Sequence, residues 1–326
     1  FYTFFGGFMG ASYTDMVQGL LMLAALIAVP IVAITNMGGL DHVTDAVANV
    51  RPDALGLFAG TTFIGIASAL AWGLGYFGQP HIIVRFMALR TPEDAKAGRR
   101  IGMSWMLLTV VGSISTAFVG VAYFATHPEV SLTDKESAET VFLDLAQILF
   151  HPFIAGMILA AVLAAIMSTL SSQLVVCSSA LVEDLYGVFV KKKLSSNQSL
   201  WLGRAGVAIV AVIATLMALD KNNSILSLVE FAWAGFGSAF GPIVILSLYW
   251  RKLTLPGAVS GMVVGAVVTF FWRQVFNLTE TIDVYEMIPG FFLAFLVTVV
   301  VSLATYEKNE EIEQEFDKAA ELAKAG

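Results

Sequence analysis

The sequence predicts an all-α membrane protein of about eight transmembrane helices, on three observations. Of its 326 residues, 57% are hydrophobic and only 13% are Asp, Glu, Lys or Arg. A soluble domain carries about a quarter charged residues, so this chain lacks the charge to coat a water-exposed surface. The apolar residues fall into runs near the roughly 20 residues that cross a bilayer. The basic residues also sort by side. With the first run taken from inside to outside, Arg51, Lys135, Lys221 and Arg273 fall on one side, and the other 14 of the 18 Lys and Arg on the opposite side. The richer side is read as the cytoplasm, and it holds the C-terminus.

Taken in order, the spans are read at 12–35, 56–88, 101–125, 153–187, 201–219, 223–249, 256–275 and 285–306. After the third span, HPEVSLTDKESAET gives way to VFLDLAQILF. That run of about ten residues is apolar on one face and too short to cross, so it is read as an interfacial or loop-packing helix. Beyond Thr305, YEKNEEIEQEFDKAAELAKAG is a charged, helix-prone tail, read as a solvated helix. The expected domains are a transmembrane region over 1–306 and a cytoplasmic tail over 307–326. The opening FYTFFGGFMGA is not read as a signal peptide. It begins without Met inside an apolar run, so the sequence is expected to be part of a longer protein.

Composition excludes several functions. The net charge of −7 provides no basic footprint for nucleic acid. A single cysteine, Cys177, rules out an internal disulfide or a cysteine metal cluster, and four histidines leave little for a histidine site. No GxxxxGK[ST] loop supports ATP-driven transport, and no GxSxG or HExxH supports hydrolysis. GLGYFG lies inside an apolar span rather than after a strand, so it is not a phosphate loop. No TVGYG-like filter segment is present.

The informative positions are the departures from a plain lipid-facing helix. The second span contains Gly73, Gly75, Gly78 and Pro80 within eight residues, flanked by Trp72, Tyr76, Phe77, Gln79 and His81. Gly costs about 1 kcal/mol and Pro about 3 in a helix interior, so the cluster predicts a broken helix. Backbone groups freed at membrane depth need partners that lipid does not offer, and broken helices build solute sites in many secondary transporters. A proline kink with packed aromatics is the other reading; the density of Gly, Pro, aromatic and polar residues favours a site.

In the fourth span, Ala165, Ser168, Thr169 and Ser172 follow i, i+3, i+4, i+7 spacing and share one face. Two chemistries fit this face. One is close helix packing with hydroxyl bonds; the other is a site for a hard monovalent cation such as Na⁺, held by neutral oxygens. In the sixth span, FAWAGFGSAFGP alternates small residues with Phe231, Trp233, Phe236 and Phe240. It is read as a bent, close-packed helix that moves, lines a cavity or makes a tight helix contact. Gly73, Gly75 and Gly78 of the second span, with Phe236 and Gly237 of the sixth, are the candidate hinge and gating residues. Asp15, in SYTDMVQ at the start of the first span, is read as a helix cap or an ion-tuning acid. Glu230 opens the sixth span with no obvious partner.

The runs WGLGYFGQPHIIVRFMA (72–88), AAIMSTLSSQLVVCSSALVEDLYG (164–187), FAWAGFGSAFGP (231–242) and SLYWRKLTLPGAVSGMVVGAV (247–267) resemble the sodium/solute symporter family over nearly the whole chain. The first run points to its proline branch. The resemblance implies a partial LeuT-type inverted-repeat transporter fold, with the first broken helix of the core absent from this sequence. It implies Na⁺ as coupling ion, with the Ala165 carbonyl and the Ser168 and Thr169 hydroxyls as ligands. It implies Trp72 and Tyr76 as substrate and gate positions, with Gln79 and Pro80 at the unwound segment, and it assigns Asp15 to sodium coupling. The expected function is sodium-coupled uptake of L-proline across a bacterial cell membrane, with no enzymatic step. The alternatives are a symporter of the same fold for another amino acid or pantothenate, a transporter-like membrane sensor, or a channel.

Overall fold

A computed structural model of the chain describes residues 2–127, 138–185, 196–219 and 225–325. Lys135, Lys191, Lys192, Lys193 and Lys221, which entered the charge count, lie outside the described residues. In chain order, the described helices are α1 (Tyr2–Asn36), α2 (Leu40–Val50), α3 (Phe63–Gly75), α4 (Pro80–Met87) and α5 (Pro92–Thr126). They continue with α6 (Val141–Leu149), α7 (Pro152–Ser179), α8 (Ser196–Met217), α9 (Ile225–Tyr249) and α10 (Leu255–Phe270). The last are α11 (Leu278–Ile282), α12 (Met287–Ala304) and α13 (Glu310–Ala325). Wider π-type turns extend α7 over Ala180–Leu185 and α10 over Phe271–Val275.

Among the described residues, seven helices are long and apolar enough to cross a membrane: α1, α5, α7, α8, α9, α10 and α12. The one remaining expected span, the second, is interrupted. Its residues form α3 and α4, joined by a 3₁₀ turn at Tyr76–Gly78, which is the broken helix that its Gly and Pro content predicts. Two helices start more than two turns earlier than hydropathy places them. α1 begins at Tyr2 rather than 12, with a kink at Gly7 (φ 53°). α5 begins at Pro92 rather than 101, because PEDAKAGRR is polar yet helix-forming. Hydropathy registers only the part of a helix that lipid would cover.

The helices divide into two compact units, residues 1–59 with 100–221, and residues 60–99 with 222–326. In the first unit the core joins Val29 and Ala33 of α1, Val119 and Ala122 of α5, Leu145 of α6, and Ile158 and Ala161 of α7. α2 adds Val43 and Val47, one turn apart on its inner face. It has no counterpart among the expected elements, since two buried valines leave a weak periodic signal. α1 stops where Gly38 and Gly39 take φ of 88° and 116°, and their N–H groups return to the carbonyls of Thr35 and Ile34. α6 buries Leu145 and Ala146 in this core, as expected of a loop-packing helix.

In the second unit α9, α10 and α12 pack closely. Gly257, Gly261 and Gly265 of α10 recur every four residues. They face Ser302 and Thr298 of α12 and the Ser238 carbonyl of α9, the small-residue packing that replaces a hydrophobic driving force in lipid. Thr62 and Thr254 cap α3 and α10 by accepting the N–H of Gly65 and Gly257. The tail forms the expected helix, α13, and one face of it is engaged. Arg251 donates to Asp317 at 2.6 Å, with its guanidinium over Phe316.

Candidate functional site

The broken helix owes its shape to Pro80. Proline has no N–H and disfavours helical backbone at the residue before it. Gln79 is accordingly extended (φ −84°, ψ 113°), and α4 restarts with Pro80 in its first turn. The Gln79 carbonyl accepts from the N–H groups of Ile82 and Ile83 at 3.0 Å each. Its side chain is 3% exposed, and its Nε2 donates to the Trp233 carbonyl at 3.2 Å. In return, Trp233 Nε1 donates to the Trp72 carbonyl at 3.0 Å. These two bonds tie both sides of the break to the same turn of α9.

Four aromatic rings meet there. Trp72 stacks on Trp233 (centroids 6.2 Å apart, 28°) and on Tyr285 (5.7 Å, 15°). Tyr76 meets Trp233 edge-on at 4.9 Å and remains 43% exposed. Of the two aromatics assigned to the solute, Trp72 is therefore part of a wall, and Tyr76 is the more exposed. Phe77 is similarly exposed.

The candidate hinge residues separate by geometry. Gly75 is helical (φ −62°), so its value is space rather than conformation: a Cβ there would run into the Trp233 indole. At Gly78 a Cβ would strike the Phe236 carbonyl, and at Gly237 it would lie 2.8 Å from the Gly75 Cα and from the Met287 methyl. These three form one tight crossing. Gly73 does not belong to it, since a Cβ there meets open space. Phe236 contributes its backbone to the crossing. Its ring stacks on Phe240 at 6.1 Å and lines an apolar cleft of about 500 Å³ between α9 and α10.

The hydroxyl face lies in the first unit, on α7. Ser168 Oγ and Thr169 Oγ1 both donate to the Ala165 carbonyl, at 2.9 and 3.3 Å. The three oxygens expected to hold Na⁺ are thus gathered on one turn. Each hydroxyl keeps lone pairs for a cation while its proton points to the carbonyl. One turn on, Ser172 Oγ lies 2.9 Å from the Ser168 carbonyl and 3.4 Å from Asp15 Oδ2 on α1. The helix-cap reading of Asp15 is overturned. α1 starts at Tyr2, so Asp15 lies well beyond the first turn, where the free N–H groups of a helix end. It stands instead beside the hydroxyl face, where a carboxylate adds negative charge next to neutral oxygens.

Sequence reasoning missed Tyr285 and gave Trp233 no role of its own. Their bonds to α3 span 217 and 161 residues, and no local pattern signals such a pairing. Glu230 does have a partner: its Oε2 lies 3.7 Å from Arg273 Nη1.

Known proteins resemble this chain throughout. The family model described as the sodium:solute symporter family matches residues 1–265. The high-affinity proline transporter PutP of Bacillus subtilis is 48% identical over 97% of this chain and 65% of its own length. The osmoregulated proline transporter OpuE of the same organism is 50% identical over 93% of this chain and 61% of its own length. The sodium/proline symporter of Escherichia coli is 43% identical over 98% and 62%. The chain therefore spans less than two thirds of the length of these relatives. A solved structure of a Na⁺-coupled sialic acid symporter, in a substrate-bound outward-open state, superposes with a TM-score of 0.72. At 18% identity over 95% of this chain and 65% of that one, the likeness shows the fold, which is the partial LeuT-type architecture. The chain is a multi-pass membrane protein, and it belongs to the sodium:solute symporter family.

Proposed function

We propose that the full-length protein carries L-proline into the cell together with Na⁺ by alternating access. The observation that carries this reading is the similarity of the chain, over nearly its whole length, to relatives named as proline transporters. Its chemistry suits a zwitterion and a monovalent ion. Na⁺ would be held by the Ala165 carbonyl, Ser168 Oγ and Thr169 Oγ1, with Asp15 adding charge through the neighbouring Ser172. Neutral oxygens suffice for one positive charge and release it readily.

Proline would lie at the break between α3 and α4. The ends of helices interrupted at Gln79 and Pro80 present backbone dipoles to its carboxylate and imino group. Tyr76 would cover the apolar ring, against the wall that Trp72 forms with Trp233. The crossing of Gly75, Gly78 and Gly237 would be the pivot. Energy comes from the sodium gradient and the membrane potential, about 2.3 kcal/mol per charge per 100 mV. The basic residues assign the tail to the cytoplasm, which labelling the tail from either face of sealed vesicles checks.

The test is uptake of labelled proline by proteoliposomes holding the full-length protein. An imposed inward Na⁺ gradient should drive accumulation, and a K⁺ gradient should not. Uptake of another amino acid or of pantothenate with proline excluded would transfer the mechanism to a different solute. Equal uptake without Na⁺ would end the reading.

A further inference from the structure

Behind the aromatic wall lies a cluster of charges. Glu286, the residue after Tyr285, has a fully buried side chain. Both of its carboxylate oxygens are engaged: Oε1 with Arg273 Nη1 at 2.7 Å, and Oε2 with the Thr279 hydroxyl at 2.9 Å. Arg273 also donates through Nη2 to the Ser227 hydroxyl at 2.7 Å. A buried ion pair is weak evidence of stability, because apolar residues of the same volume often serve as well. Its worth lies in what it orients. This guanidinium ties the end of α10 to the first turn of α9 and to the residue after Tyr285.

Tyr285 is held at both ends. Its hydroxyl donates to the Glu230 carbonyl at 2.9 Å, on the turn of α9 that Arg273 grips through Ser227. Its N–H donates to Ser68 Oγ at 3.2 Å. Ser68 is one turn before Trp72 on the same face of α3. The phenol is therefore anchored to α9 and its backbone to α3, and between these anchors its ring lies nearly parallel to the Trp72 indole.

We propose that Tyr285 is a positioning residue of the solute site, which sets the Trp72 indole at the break, and that the pair of the partly buried Arg273 with the buried Glu286 is the fixture that sets Tyr285. This rests on the reading that Trp72 lines the proline site. It goes beyond it by making solute affinity depend on a hydroxyl that touches neither solute nor ion. Tyr285→Phe removes the hydroxyl and keeps the ring. Arg273→Lys keeps the charge and loses the fork that reaches Glu286 and Ser227 together.

Two readouts in the full-length protein test it. In proteoliposomes, Tyr285→Phe should raise the proline KM about threefold to tenfold, the range of one lost hydrogen bond. The maximal rate and the Na⁺ half-saturation should stay within about twofold of wild type. In detergent, acrylamide quenching of Trp72, taken as the difference from a Trp72→Phe background, should increase in both Tyr285→Phe and Arg273→Lys. A fall in maximal rate with KM unchanged would mark a merely structural role and overturn the proposal. So would unchanged quenching of Trp72. Wild-type protein that takes up no proline would defeat the symport reading, while the quenching readout still decides whether Tyr285 positions Trp72.

Discussion

Ser168 and Thr169 are the residues at which ion chemistry and packing part company. Both hydroxyls bond only within their own helix in the contacts described above, an exchange that adds little to helix stability. Removing either should therefore leave the fold nearly unchanged. Under the proposed symport, Ser168→Ala and Thr169→Ala should each raise the Na⁺ concentration for half-maximal proline uptake roughly tenfold, the equivalent of about 1.4 kcal/mol. Proline affinity at saturating Na⁺ should move far less. Unchanged sodium dependence in both variants would leave the face as packing alone. The two aromatics of the break should differ in a similar way. Tyr76 is 43% exposed, so Tyr76→Ala should weaken proline binding with little change in melting temperature. Trp72 stacks its indole against two rings, those of Trp233 and Tyr285. Trp72→Ala should weaken binding and also destabilise the fold by about 3 kcal/mol, which a thermal melt in detergent reads.

At the scale of elements, the legible features were those whose causes are local. Pro80 dictates an extended Gln79 through sterics between neighbours, so the break was readable from the eight residues that end at Pro80. The spacing of Ala165, Ser168, Thr169 and Ser172 places them on one face of any helix, and the structure has them there. Illegible features depended on partners far along the chain. Trp233 completes the wall at Trp72, and Arg273 pairs with Glu286 beside Glu230, yet neither pairing leaves a periodic trace. The helix-cap reading of Asp15 fails for a related reason: hydropathy locates the apolar run, while the helix itself begins earlier. The same distinction sorts the glycines. Composition marks Gly73, Gly75 and Gly78 alike, but only the latter two lie against α9. Gly75→Ala and Gly78→Ala should each cost about 1–3 kcal/mol through overpacking and slow uptake by jamming the crossing. Gly73→Ala should be neutral or stabilising by about 0.5–1 kcal/mol, since alanine suits a helix better where there is room. Equal losses in all three would mean that the glycines serve flexibility rather than contact.

At the scale of the molecule, the candidate ion residues and the candidate solute residues belong to different compact units. Asp15, Ala165, Ser168 and Thr169 are in one; Trp72, Tyr76, Gln79 and Pro80 are in the other. Each set has its own internal support, the α1–α7 contact for the first and the α3–α9 crossing for the second. The proposed symport then requires a coupling free energy between sites that share no residue. Such coupling is typically 1–3 kcal/mol, about 5–150-fold in affinity, and it is reciprocal by linkage. Equilibrium binding to the full-length protein should show saturating Na⁺ tightening proline by some factor within that range, and saturating proline tightening Na⁺ by the same factor. Ser168→Ala should weaken Na⁺ in both the presence and absence of proline, whereas Gly78→Ala, which alters no ligand, should shrink the factor itself by disturbing the crossing. Proline binding that ignores Na⁺ in the wild type would mean that the two residue sets work independently, and that the hydroxyl face of α7 has no part in carrying the solute.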